Sequence, residues 1–158
     1  MQRIDNRYKI ETKPLANQEA IVQGEHYRFT VLTSKLIRME YQEDNLFEDR
    51  ATKSVINRDF ITPKFRVVDQ PDKLEIYTEF LHLEYNKKPF SSNGLQISIR
   101  GNLTAYNNTW HYKDVIHDLG GTTRTLDLID GSVPLEHGLL SQKGFTVLDD
   151  SKSILISE

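Results

Sequence analysis

Residues 26–41 read HYRFTVLTSKLIRMEY, and their period decides the fold class. Tyr27, Phe29 and Val31 alternate with His26, Arg28 and Thr30. After Thr33 and Ser34 the pattern resumes with Ile37, Met39 and Tyr41 against Arg38 and Glu40. A period of two marks a strand with one face toward a core. Two such runs across a short polar link predict an antiparallel hairpin with one buried and one solvated face.

The same period recurs on both sides of this hairpin. A short strand is expected at Arg7 to Glu11. Downstream, Phe65 to Val68 leads into Asp69-Gln70-Pro71-Asp72, residues whose side chains and fixed φ favour a turn. Leu74, Ile76 and Phe80 follow with polar neighbours, and the apolar parity then changes from even to odd through Leu81, Leu83 and Tyr85. Such a change predicts a β-bulge or a bend between sheets. Leu95, Ile97 and Ile99 alternate with Gln96, Ser98 and Arg100, and the apolar runs Phe145 to Leu148 and Ile154 to Ile156 close the series. Seven or more short strands with few helical stripes predict an all-β chain, an antiparallel β-sandwich.

Composition bounds what such a sandwich can do. With 158 residues, 37% hydrophobic and 27% charged, the chain is expected to form one globular domain with a real core. A net charge of -3 and no basic run longer than Lys87-Lys88 argue against a nucleic-acid partner, which needs a cationic face to replace phosphate counterions. The absence of cysteine excludes disulfides and thiolate metal sites. Residues 1–15 lack a signal-peptide apolar core and no eighteen-residue apolar run occurs, so a soluble cytoplasmic protein with no membrane partner is expected. In that setting the sequons at Asn102 and Asn107 read as chance matches.

Chemistry concentrates in residues 119–151, LGGTTRTLDLIDGSVPLEHGLLSQKGFTVLDDS, where a globular domain would ordinarily place a short turn. Thr122, Thr123, Arg124, Thr125, Asp127 and Asp130 suit a hydroxyl-rich ligand such as a sugar. His111, Asp114, His117 and Asp118 are the one histidine-rich grouping that suggests a metal, but spacing along a connection does not make them converge, so neither metal nor cofactor is expected. No nucleophile elbow and no phosphate loop is present, and Gly120-Gly121 reads as a tight turn. Trp110 and Tyr106 could form a sugar platform, although a buried core role suits Trp110 better. Residues 47–50 and 57–60 read as surface ion pairs of small energetic weight, and Asp149-Asp150-Ser151 as a turn closed by side-chain to backbone bonds.

The ordered motifs GGTTRTLD (120–127), DG (130–131), LEHGLLS (135–141) and GFTVLDDS (144–151) resemble the N-terminal domain of glycoside hydrolase family 31, the α-glucosidase and α-xylosidase family. LTSKLIRMEY (32–41), FEDRATKSVINRDF (47–60) and FLHLEYNKKPFSSNGLQI (80–97) also look like that domain, so the resemblance covers nearly the whole chain. Phe145 departs from it, standing where many relatives carry tryptophan, and keeps an aromatic there.

The resemblance implies a twisted sandwich similar to galactose mutarotase, residues 1–158 being one N-terminal domain of a larger hydrolase. The catalytic (β/α)8 barrel would begin after Glu158. A retaining glycosidase needs two carboxylates about 5 to 5.5 Å apart, and in this family both lie in the barrel. This domain is then expected to be non-catalytic, without cofactor, its partners being the barrel of the same polypeptide and an α-linked oligosaccharide or glucoside. Its loop would supply the substrate-binding residue Asp127, with Arg124 and Asp130 as further candidates. Two alternatives stand beside this reading. One is a free-standing carbohydrate-binding module anchored by Trp110 and Tyr106; the other is an aldose mutarotase, which needs a general acid and base at one sugar.

Overall fold

The computed structural model describes residues 10–101, 108–121 and 127–156. Among the described residues a 3-10 turn, Gln18–Ala20, precedes eight strands: β1 (Ile21–Gln23), β2 (Tyr27–Thr33), β3 (Leu36–Tyr41), β4 (Arg66–Asp69), β5 (Leu74–Tyr77), β6 (Leu81–Tyr85), β7 (Leu95–Ile99) and β8 (Thr109–His111). The strands pair antiparallel, in a three-stranded sheet β1-β2-β3 and a five-stranded sheet β4-β5-β6-β7-β8. The protein is an all-β sandwich. No helix among the described residues is long and apolar enough to cross a membrane.

Period two fills the space between the sheets. Tyr27, Phe29, Val31 and Ile37 of the small sheet meet Leu74, Ile76, Leu83, Tyr85, Leu95 and Trp110 of the large one in a single buried cluster. Tyr85 stands edge-on to both Tyr27 (5.1 Å between centroids) and Phe29 (5.2 Å), so aromatic rings join the two sheets. The register puts Phe29 opposite Met39 and Val31 opposite Ile37, and cross-strand partners share a face. The turn at residues 69–72 forms as expected, with Gln70 N–H donating to Lys73 O at 2.8 Å.

The structure departs from expectation at four places. The parity change at Phe80 and Leu81 is neither a bulge nor a bend; the chain reverses there. Tyr77 pairs with His82, Ile76 with Leu83 and Leu74 with Tyr85, so an even residue on β5 shares its face with an odd one on β6. Thr78 builds the turn without glycine or proline: its hydroxyl oxygen accepts from Leu81 N–H (2.9 Å) and donates to Ser34 O (2.7 Å). A register shift does occur in β2, between Val31 and Thr33.

The apolar runs 145–148 and 154–156 form no strand. Leu155 makes one isolated bridge to Thr52, flanked by Lys53 N–H to Ile154 O and Ile156 N–H to Ala51 O, each 2.8 Å. Of the strand expected at Arg7 to Glu11, residues 7–9 lie outside the described residues, and Ile10 and Glu11 belong to no strand.

The hairpin of residues 26–41 is buried on both faces of β2, not one. Arg28 and Thr30 are as hidden as their apolar neighbours, because residues 13–20 and 44–60 lie over them and supply partners.

Candidate functional site

The segment following β8 is an arm with a built neck. Its two roots, Ile116 and Phe145, pack against the core. Between them Asp118 bridges Ser141, Leu119 N–H donates to Leu140 O (2.8 Å) and Gly121 N–H donates to Glu136 O (2.6 Å). Glycine is required where the two legs touch. A Cβ on Gly138 would stand 2.4 Å from Gly120 O, and one on Gly121 would stand 2.8 Å from Glu136 O. The Asp118 carboxylate ties the neck further, accepting from Gly120 N–H at 2.7 Å and lying 2.9 Å from His137 Nδ1. Those two bonds, His137 first, hold its pKa below the ordinary aspartate value.

Asp127 and Asp130 follow in the chain beyond the neck, both exposed, Asp127 forming a turn with Leu128. Leu128 within that turn has φ +59° and is fully exposed, and Gly131 after it has φ +104°. A leucine in the left-handed region without burial is uncommon. Arg124, the third candidate, lies outside the described residues with Thr122, Thr123 and Thr125. Along the legs Leu135, Leu139 and Leu140 are more than half exposed, and Leu119 joins them at the neck.

The histidine grouping separates. His111 N–H and Nδ1 approach the Asp114 carboxylate at 2.9 and 3.3 Å in a local turn, whereas Asp118 faces His137. Trp110 is buried in the core, edge-on to Tyr112, so it offers no sugar platform; Tyr106 lies outside the described residues.

A polar cluster that the linear sequence did not suggest forms on the outer face of the large sheet. The β5–β6 register sets Glu75 beside Glu84 and Tyr77 beside His82. Ligand atoms of Glu75, His82 and Glu84 fall within 4.8 Å of one another, a geometry open to a metal ion. The Lys73 ammonium already stands among them, 3.3 Å from Glu75 and 2.7 Å from Glu84. Hydrogen bonds from Tyr77, His82 and Lys73, Tyr77 first, lower the Glu75 pKa to about 2. Writing the hairpin register onto the sequence is the operation that would have found this cluster.

The outer face of the small sheet holds a second polar group. Arg28 makes a bidentate pair with Glu40 (2.8 and 3.1 Å), reaches Asp49 at 2.8 Å and stacks on Phe47 at 4.9 Å. Arg38 joins Glu40 (3.2 Å) to Asp150 (3.4 Å), and Asp150 also accepts from the Thr52 hydroxyl at 2.8 Å. Arg58, 3% exposed, donates to Glu48 O (2.7 Å) and Arg50 O (3.0 Å).

Arg28 and Arg58 are therefore not parts of a solvated face or of surface pairs, as expected: Arg28 ties the sheet to the covering segment at Asp49, and Arg58 ties that segment to itself through two of its carbonyls. Asp149 closes the expected turn to Ser151 N–H at 3.0 Å, whereas its neighbour Asp150 anchors the C-terminal segment across the sheet. Burial opposes ionisation of Glu40, and the bonds from Arg28 and Arg38 outweigh it, leaving its pKa below the usual glutamate value. Burial, then Arg38, lowers that of Arg58.

No family model matches this sequence, and a search of curated proteins returns no match either.

Proposed function

We propose that the chain is the N-terminal β-sandwich domain of a retaining α-glycosidase of the α-glucosidase type, resembling the mutarotase-like sandwiches that precede a catalytic barrel. It works without a cofactor, in the cytoplasm. Its arm packs on the barrel of the same polypeptide and brings Asp127 to the rim of the sugar site. The observation that carries this reading is the arm itself: a glycine neck holds it in place, leucines line it, and two carboxylates stand at its exposed end. An ionised carboxylate accepts two hydrogen bonds from neighbouring sugar hydroxyls, which is what a subsite at the rim requires. Arg124 and Asp130 flank Asp127 and complete or orient the subsite.

The test begins with the intact mass of the native gene product, expected to be several times the 18.4 kDa of this chain. In that product Asp127→Ala should lower kcat/KM on α-glucosides or α-xylosides by about 10- to 100-fold, the worth of one or two charge-assisted hydrogen bonds. Melting temperature should stay unchanged, and Asp130→Ala should cost less than about threefold, as expected of a weaker contact. A native product of 18.4 kDa without glycosidase activity would overturn the proposal.

A further inference from the structure

Away from the arm, an open cleft of about 640 Å³ lies between the β2–β3 turn at Ser34, residues 63–66 and the β5–β6 turn. That volume is in the range of small-molecule sites. Three cations line it, Lys64, Arg66 and Arg100, against one carboxylate, Glu79, a net charge of +2. Among the described residues none of the three cations forms an ion pair with a carboxylate. Lys35, stacked on Phe80 at 4.4 Å, adds a fourth positive charge beside Ser34. Elsewhere on this sandwich Arg28, Arg38 and Arg50 are paired with acids, while the buried Arg58 is held by two backbone carbonyls.

The two guanidinium groups are held in position without being neutralised. Arg66 lies 4.1 Å over the Tyr77 ring, and that ring is itself stacked on His82 at 4.1 Å and 10° and tied through its hydroxyl to Glu75 at 2.8 Å. An arginine over an aromatic face keeps its charge and carries five N–H donors, more than one ring contact can use. Arg100 donates through Nη1 to Thr78 O, a carbonyl fixed by the turn, and sits 5.8 Å from the same ring. A guanidinium fork fits tetrahedral oxyanions bidentately, and a net charge of +2 matches a dianion better than a monocarboxylate.

We propose that this cleft binds the phosphoryl group of a small phosphate ester, with Arg66 and Arg100 as its main ligands and Lys64 as a supporting charge. The site is independent of the glycosidase reading.

Calorimetric titration of the whole polypeptide with inorganic phosphate and with glycerol 3-phosphate, neither of which carries a sugar, tests it, with acetate as the comparison ligand. Saturable binding of both phosphates is expected with a Kd on the order of 1 mM or tighter, with acetate at least about tenfold weaker. Arg66→Ala and Arg100→Ala should each weaken phosphate binding about tenfold, and Arg66→Lys, which keeps the charge and loses the fork, by a smaller factor. Lys88→Ala, past the opposite end of β6 from the cleft, should change nothing. The proposal is overturned if phosphate gives no saturable heat up to on the order of 10 mM, if acetate binds as well as phosphate, or if both arginine variants bind like the parent.

Discussion

The strands of residues 21–111 and the segment of residues 112–156 are built on opposite terms. In the first, alternation puts one side chain in two between the sheets, and Phe29, Val31, Leu74, Ile76 and Leu83 are wholly removed from water. In the second, no strand forms among the described residues, and Leu128, Leu139, Leu140 and Ile154 stay largely exposed. Yet the second region is not shapeless. Isolated bridges and glycine contacts fix its neck, and Asp150 ties it to the small sheet. A chain that orders a backbone while leaving its leucines outside is stabilised there by specific bonds rather than by buried area.

The sharpest way to break this contrast is to delete the same side chain from both regions. Leu83→Ala empties a closed site between the sheets and should cost about 2–5 kcal/mol. Leu139→Ala, at 70% exposure, should stay within about 0.5 kcal/mol in the chain alone. Denaturant unfolding of the two variants measures both. Comparable losses would show that the arm contributes to the core after all.

Next in size is the polar network over the small sheet. Arg58→Ala would remove a charged donor from the part-buried carbonyls of Glu48 and Arg50, a loss of about 1.5–3 kcal/mol. A cost under about 0.5 kcal/mol would return Arg58 to the status of a surface residue. The same network sets a response to acid. Glu40 has a lowered folded-state pKa, so its contribution is present above the unfolded value near 4.3 and is lost as pH falls through the folded one. Melting temperature should therefore fall on acidification below about pH 4.3, less steeply in Glu40→Gln, which starts from a lower stability.

These two tests also mark what was legible in the sequence. Faces set by local alternation could be read directly: Tyr27, Phe29 and Val31, the turn at 69–72, and β7. Burial of Arg28 could not, because what permits it is Glu40 across the hairpin and Asp49 beyond β3, and a charged residue at an outward position reads as solvated unless its distant partner is known. The Thr78 turn escaped notice because its hydroxyl does the work usually signalled by glycine, proline or asparagine. Runs 145–148 and 154–156 misled for the opposite reason: a short apolar run looks the same whether it enters a sheet or lies along its edge. At the arm, Gly120 and Gly121 announced a turn and Asp127 an acceptor, but the closing of one leg on the other depends on Gly138, whose role shows only when the two legs are placed side by side.

Gly138→Ala tests that neck and should have the smallest global effect. The added Cβ would meet Gly120 O at 2.4 Å, a backbone atom that can recede only if the legs part. The bonds Gly121 N–H to Glu136 O and Leu119 N–H to Leu140 O lie on either side of the collision and should open. Because the neck lies outside the buried cluster, global stability should change by less than about 0.5 kcal/mol, while amide exchange at Gly121 and Leu119 should accelerate by about tenfold or more. Exchange at Phe29 and Leu83 is the internal reference, since those amides open only with the sandwich. Faster exchange confined to the neck would establish the arm as a separately opening unit. Equal acceleration in the sheets would mean that the neck and the core unfold together, and the difference between the two regions would then be one of exposure alone.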